Sequence, residues 1–506
     1  MGIRTKQKTA KKTHLVVKAL AGTGKTTTMI DYLNHMRFPG YQTEHVPTEE
    51  QQAIFDCTVP ARKVCFCAFN KAIAEELKTK VPPGIETSTI HSLGYKLLKT
   101  VFKSIKVNNE QALFLMKREL GYKPEDRLSR VHFDLVHKAN KVVGLVKNFM
   151  LDPTEDNIVQ LTLQYGIEVN GDLGQVCKLV QAVIKDALDD SNGGFKFISF
   201  DDMIYLPAKM GLADKIYDLL IVDEAQDLNP AQHAIISNVA DQVVLVGDDR
   251  QAIYHFRGSD SDSINNCKKM LDGEIKELTL TTTWRCPTSH VEAVNHIVPD
   301  LKAAPNAIEG EIHNIKRSEM YNHLKGGALV MCRTNGPLCS LAFNLLSREI
   351  PVRIQGREFS RQIISLINKL RTDDDSIPSL MAHLENYEES ETSRIQQTKQ
   401  FNTNMAIQNL LDKCTSIRSL SEGLSYVPEL LERIEILFSE QRKEDQILLS
   451  TVHRAKGLEA DDIFIIYPEL MPFPAAKMPE EIEQEENLIY VAHTRGKKRK
   501  FIVESE

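Results

Sequence analysis

Short β-branched runs recur along the chain, each followed by a Gly-rich or polar turn and then a stretch of helical period. Leu15-Val17, Val64-Ala68, Leu219-Val222, Val243-Val246, Ala328-Met331, Ile447-Ser450 and Ile463-Ile466 are the predicted strands. Such alternation is how parallel α/β domains read. Several of these runs stop where polar residues of chemical interest begin, and in open parallel sheets ligands gather beyond the carboxyl ends of the strands. Two stretches break the alternation. From about 101 to 194 the period is helical, as in Leu135, Val136, Ala139, Val142, Val143 and Val146. From about 371 to 440 the chain opens on Asp373-Asp374-Asp375, passes a polar stretch and ends in helical Leu430, Leu431, Ile434 and Leu437.

Length and composition narrow the class. At 506 residues the chain is expected to hold three to four domains of about 150 residues each. Hydrophobic residues at 42% and charged residues at 26% are ordinary for globular protein and exclude a disordered chain. No apolar run approaches the ~18 residues of a membrane span, so no membrane partner is expected. Arg4, Lys6, Lys8, Lys11 and Lys12 open the chain without an apolar segment behind them, which argues against export and for a cytoplasmic protein. The nine Cys include no C-x-x-C pair and read as buried thiols, with Cys65 and Cys67 on one face of a strand. A formal charge of −7 gives no sign of nucleic acid, so any basic surface must be local.

The first strand runs into Ala19-Leu20-Ala21-Gly22-Thr23-Gly24-Lys25-Thr26-Thr27 and a helix. This is a phosphate-binding loop with Ala where the first Gly usually stands. Small residues let backbone N–H groups curl round phosphates at a helix N-terminus, while Lys25 reaches the β- and γ-phosphates and the Thr26 hydroxyl ligates Mg²⁺. The apolar run 219–222 leads into Asp223-Glu224-Ala225-Gln226-Asp227. A carboxylate at a buried strand tip suits a Mg²⁺-nucleotide site, so Asp223 is the expected metal ligand and Glu224 the base that polarises water.

Val243-Val246 continues as Gly247-Asp248-Asp249-Arg250-Gln251-Ala252-Ile253-Tyr254-His255-Phe256-Arg257-Gly258. That segment resembles the third motif of superfamily 1 DNA helicases of the UvrD, Rep and PcrA type, and DEAQD resembles their second. Other segments are similar to the rest of the series, in order: Phe66 to Glu76, Thr89-Ile90-His91-Ser92, Leu280 to Pro287, Cys332-Arg333-Thr334-Asn335, Leu449 to Glu459, and Glu485 to Arg495.

The resemblance implies two RecA-like parallel-sheet P-loop motor domains, each with a mainly helical insertion. The expected boundaries are 1–100 with 195–285 for the first domain, 101–194 for its insertion, 286–370 with 441–506 for the second, and 371–440 for its short insertion. It also implies an ATP hydrolase that moves 3′ to 5′ on single-stranded DNA, opens tailed duplexes and hydrolyses Mg-ATP at the interface of the two domains, with DNA replication and repair as settings. In that scheme Gln251 senses the γ-phosphate, while Arg285 and Arg495 stabilise charge on the transferring phosphoryl group. Glu459 meets the ribose and Trp284, the only Trp, stacks on adenine. Phe69 and Phe256 stack on DNA bases, a contact open to every base. Asn70, Thr89, His91, Asn335, Thr451 and His453 complete the DNA set.

The chain departs from the family pattern in places. An adenine-reading Gln upstream of the loop is represented only by Gln7, in the lysine-rich arm. A similar stretch, Pro47 to Phe55, follows the loop instead and reads as a helix start with a Thr48/Gln51 capping box. The second insertion is only about 70 residues, which leaves open any duplex contact by it. Two rival readings are a translocase that strips proteins from DNA with little unwinding, and a DNA-binding scaffold with a decayed ATPase. The presence of Lys25, Asp223, Glu224, Gln251, Arg285 and Arg495 argues against the second. With the chain ending soon after Phe501-Ile502-Val503, a fused nuclease is not expected.

Overall fold

The computed structural model describes residues 12–165, 167, 169, 172–189, 197–253, 260, 262–397, 403–439, 445–477 and 479–504. The chain divides into two compact units, Met1–Leu20 with Gly24–Leu280, and Ala21–Thr23 with Thr281–Glu506.

The first unit is built on β1 (Thr13–Ala19), β2 (Val64–Ala68), β3 (Ile85–Thr89), β6 (Tyr217–Val222), β7 (Ala240–Gly247) and β8 (Glu274–Leu280), with two-residue β4 (Lys106–Val107) and β5 (Phe197–Ile198) paired apart from them. The six strands lie in the order β3-β2-β6-β7-β1-β8, all parallel. Strands covered on both faces need apolar residues at every position, and β2, Val-Cys-Phe-Cys-Ala, is buried throughout. Alternate side chains feed two cores. Leu15, Val17 and Phe66 join Met29, Tyr32 and Leu77 on one face. Val16, Cys65, Cys67 and Leu220 join Leu93, Ile235 and Ile264 on the other. Cys65 and Cys67 thus share a face, their sulfurs 3.8 Å apart, and all nine cysteines are free thiols.

Four helices, Gln111–Glu119, Arg130–Asn148, Glu155–Gln164 and Leu173–Leu188, form a separate core holding Leu135, Val136, Ala139, Val142, Val143 and Val146. This helical body is tied to the sheet domain by a buried ion pair, Lys147 to Asp202 at 2.7 Å, with Ser199 donating its hydroxyl to the same carboxylate.

In the second unit β9 (Thr282–Thr283) and β10 (Lys302–Ala303) pair apart. The main sheet takes β11 (Glu311–Lys316), β12 (Leu329–Cys332), β13 (Val352–Ile354), β14 (Ile447–Thr451), β15 (Ala460–Ile466) and β16 (Gly496–Glu504) in the order β11-β16-β15-β12-β14-β13, again all parallel. Its three inserted helices, Ile377–Gln397, Thr403–Ser421 and Val427–Leu437, share one continuous core with the sheet, from Val330 and Leu449 through Leu341 to Ile417 and Leu430. Two six-stranded parallel sheets with helical cover make this an α/β protein of two RecA-like domains. Among the described residues no helix is long and apolar enough to cross a membrane.

Candidate functional site

β1 delivers the loop to helix Lys25–Arg37. Gly22 and Gly24 take φ of 73° and 76°, the left-handed region that only glycine enters freely, and Gly24 starts the helix with no side-chain cap. The first-turn N–H groups, which no side chain caps, are what a phosphate would use. Ala19 is fully buried.

The carboxyl ends of β1, β6 and β7 bring the polar residues together, because these three strands are neighbours in the sheet. The Thr26 hydroxyl donates to Asp223 Oδ2 at 3.2 Å, and Lys25 Nζ lies 3.7 Å from Glu224 Oε1. Glu224 adopts a left-handed backbone, φ 55°, and its N–H donates to Asp223 Oδ1 at 2.9 Å. Gln226 joins the two strand ends: its amide donates to Glu224 Oε2 at 2.5 Å, and its Oε1 accepts from the Asp248 N–H at 3.0 Å. Gly247 makes that approach possible, since a Cβ there would stand 2.5 Å from Gln226 Oε1. Gln251 donates to Asp248 Oδ2 at 2.6 Å and is buried.

Thr26 and Asp223 offer hard oxygen donors of the kind Mg²⁺ prefers. Among the described residues no group of three or more His, Cys, Asp or Glu could hold a metal ion. Burial raises the Asp223 carboxyl to about 6, helped by the charge of Glu224 and opposed by Lys25. Only the deprotonated form ligates a cation, so the sign follows: acidification from pH 7 to pH 5 removes the ligand. Titration of Mg²⁺ with a non-hydrolysable ATP analogue is expected to show binding weakened roughly tenfold over that range, beyond the change seen with Asp223→Asn. Equal pH dependence in the two proteins would contradict the metal role.

In the second unit Glu459 precedes β15 and Arg495 precedes β16, and these strands pair from Ala460 and Gly496 onward. Arg285 Nε donates to Glu459 Oε2 at 2.7 Å, and Lys497 stands 2.5 Å from Glu459 Oε1. Burial alone would raise the Glu459 carboxyl, but Lys497 and Arg285 outweigh it and hold it below its usual range. Arg495 is 1% exposed, with Nε donating to the Val491 carbonyl and Nη2 to Thr494 Oγ1, both at 2.9 Å. Trp284 is 46% exposed.

The DNA candidates of the first unit occupy a different part of the sheet, at the paired ends of β2 and β3, where Ala68 faces Thr89. Phe69 is 50% exposed. Asn70 and Thr89 cap the helices that follow, accepting from the N–H groups of Ile73 and Ser92 at 2.9 and 3.2 Å. The His91 ring stacks on Phe200 at 4.1 Å and 20°, and burial lowers its pKa to about 4, so it is neutral. Phe256 lies outside the described residues, as do Gln7 and the basic arm up to Lys11. The Thr48/Gln51 capping box is present, and Gln51 also donates to Thr28 Oγ1, so this Gln serves the fold.

In the second unit Cys332 faces Thr451 across β12 and β14. Asn335 follows one strand and His453 the other, while Thr451 itself is buried. Asn335 is a junction: its N–H and Nδ2 donate to Asp412 Oδ2 at 3.1 and 2.9 Å, and its Oδ1 accepts from Arg454 at 3.2 Å. Asp412 belongs to the inserted helix Thr403–Ser421. Gln226, Phe200 and Asp412 were not among the residues expected from sequence. Gln226 stood inside a motif and was open to notice, whereas Phe200 and Asp412 become meaningful only through partners more than 75 positions away.

Comparison with known proteins identifies the family. Residues 3–272 match the UvrD/REP helicase N-terminal domain, and residues 362–506 match the UvrD-like helicase C-terminal domain. Similar proteins include F-box DNA helicase 1 of Gallus gallus, 24% identical over 95% of this chain and 46% of that protein, and F-box DNA helicase protein 1 of Schizosaccharomyces pombe, 22% identical over 96% and 55%. ATP-dependent DNA helicase Rep of Buchnera aphidicola is 24% identical over 62% of this chain and 44% of its own length. The chain thus spans about half the length of these curated relatives. A phosphate loop beside an acidic strand end, a series of motifs in order and the match over more than half of the residues lead to one assignment: the chain belongs to the UvrD/REP helicase family.

Proposed function

We propose that this protein is an ATP-dependent DNA helicase that moves 3′ to 5′ along single-stranded DNA and hydrolyses Mg-ATP with residues drawn from both RecA-like domains. The observation that carries the reading is the convergence of Lys25, Thr26, Asp223, Glu224 and Gln251 around the ends of β1, β6 and β7, with exposed Phe69 just after β2 and His91, stacked on Phe200, just after β3. Lys25 would neutralise phosphate charge, Thr26 and Asp223 would hold Mg²⁺, and Glu224 would take a proton from the attacking water. Mg²⁺ would supply further neutralisation of the phosphates when bound. Arg285 and Arg495 belong to the second unit, so turnover would need both units to act on one nucleotide. Loss of the γ-phosphate would then remove a ligand shared by both, which is how hydrolysis can drive stepping.

Strand displacement on duplexes with a 3′ or a 5′ single-stranded tail tests the reading. Displacement is expected from the 3′ tail alone, with ATP and Mg²⁺. Displacement from the 5′ tail alone would reverse the polarity. Failure on both, with DNA-stimulated ATP hydrolysis intact, would favour a translocase that strips bound proteins.

A further inference from the structure

The turn that carries Glu224 is held from behind by side chains that take no part in the site described above. Ser263, the first residue of helix Ser263–Met270, donates its hydroxyl hydrogen to the Ala225 carbonyl at 2.7 Å. The ring Nε2 of His233, from helix Pro230–Val239, lies 3.0 Å from the same hydroxyl oxygen. A hydroxyl has one hydrogen and a carbonyl can only accept, so that hydrogen is committed to Ala225 and His233 Nε2 must be the donor to Ser263. The ring therefore carries its proton on Nε2 and leaves Nδ1 bare, 3.9 Å from Asp260 Oδ2 and beyond hydrogen-bond reach. His233 is 1% exposed, and burial lowers its pKa to about 4 against the opposing pull of Asp260, so the ring is neutral near pH 7.

A second stitch lies beside the first. The Asp260 N–H donates to the Leu228 carbonyl at 3.1 Å, and the Asp260 carboxylate accepts from Asn266 Nδ2 at 2.8 Å and from the Asp262 N–H at 3.1 Å. The start of helix Ser263–Met270 is thus bonded to both ends of the turn 225–228.

This arrangement bears on the chemistry because the aim of Glu224 is set by its backbone. Its left-handed φ of 55° is uncommon for a residue with a side chain and persists only where surrounding bonds enforce it. The peptide between Ala225 and Gln226 is gripped from two sides. Its carbonyl is taken by Ser263, while the Gln226 side chain spans Glu224 and the Asp248 N–H. Release of the carbonyl would let that peptide turn and carry the carboxylate with it.

We propose that His233 and Ser263 form a positioning pair that fixes the Ala225–Gln226 peptide and thereby aims the Glu224 carboxylate at the attacking water. The proposal rests on the reading of Glu224 as the catalytic base. Neither residue touches the nucleotide; both act through Ala225. Ser263 supplies the bond, and His233 fixes the orientation of the hydroxyl by occupying its acceptor side.

Steady-state ATP hydrolysis at saturating single-stranded DNA, with binding of a non-hydrolysable ATP analogue measured separately, tests the pair. Ser263→Ala is expected to lower kcat about tenfold and His233→Leu about fivefold, because small misplacements of a reacting group are costly, with KM and analogue binding within about twofold of the wild type. His233→Gln, which returns an N–H near the Nε2 position, is expected to restore kcat to within about twofold. The double variant should be no slower than Ser263→Ala alone, since both changes act through one bond. Unchanged kcat in both single variants overturns the proposal. So does a parallel loss of kcat and analogue binding, which marks simple disruption of the fold, and so does failure of His233→Gln to rescue. If His233→Leu does not fold, Ser263→Ala and His233→Gln decide the matter. Glu224→Gln separates the two levels: retained turnover there defeats the reading of Glu224, whereas lost turnover with unaffected His233 and Ser263 variants defeats only the positioning pair.

Discussion

Lys25→Ala is expected to lower DNA-stimulated ATP turnover by about 10²–10³-fold, the range for removal of a single preorganised charge-stabilising group. Two effects act together. The ammonium group stands 3.7 Å from Glu224 Oε1, and its charge also restrains the pKa of Asp223. Its loss removes a contact to the phosphates and the positive charge that opposes the rise of the Asp223 pKa, so Asp223 shifts further upward and holds Mg²⁺ less well at neutral pH. Phosphate release at saturating single-stranded DNA measures the first effect, and the Mg²⁺ concentration for half-maximal turnover measures the second. DNA binding, followed by fluorescence anisotropy of a labelled oligonucleotide, should remain measurable, because the described DNA candidates lie at the ends of β2, β3, β12 and β14 and not in the loop. Retained turnover would sink the assignment of the loop.

Arg285→Ala should have a comparable or larger effect, a fall in kcat of about 10³-fold or more, since an arginine placed on a transferring phosphoryl group is worth about 10³–10⁵. Arg285 is bonded through Nε to Glu459, which also pairs with Lys497. Exposed pairs of this sort contribute about 0–1 kcal/mol to stability, and the Glu459 side chain is 39% exposed. The variant should therefore unfold within a few degrees of the wild type while its turnover collapses. Arg285→Lys should not recover activity, because a compact ammonium cannot reproduce the planar fork of a guanidinium. Thermal unfolding and kcat, measured side by side, decide the point. Parallel loss of both would make Arg285 a structural residue.

The strands show where the amino-acid sequence was legible. The seven predicted runs fall in β1, β2, β6, β7, β12, β14 and β15. In the two six-stranded sheets the strands that no run announced are β3, β8, β11, β13 and β16, and four of these are the sheet edges. Edge strands face solvent and carry charge, as in Glu-Ile-Lys-Glu-Leu-Thr-Leu of β8, so continuous hydrophobicity is missing where water replaces a neighbour. β16 is hidden for a related reason. Its Gly-Lys-Lys-Arg-Lys opening reads as a solvated basic run, yet Lys500 is fully buried beside His493 at 3.2 Å.

The candidate site divides along the same line. Residue types whose chemistry is local, such as the loop Gly22 to Thr26 or the carboxylates 223 and 224, stand out because a few adjacent positions must supply backbone curvature, a cation and hard oxygens together. Positioning groups do not. Gln226 acts on Asp248, His233 and Ser263 act on Ala225, and Asp412 acts on Asn335. Each of these bonds joins positions between 22 and 77 residues apart, and one Ser or His in such a place looks like any other polar residue along the chain. Chemistry carried by adjacent residues was thus readable before folding. The partners that aim it were set by strand order and helix packing, because a hydrogen bond depends on distance and direction in space, which linear order alone leaves undefined.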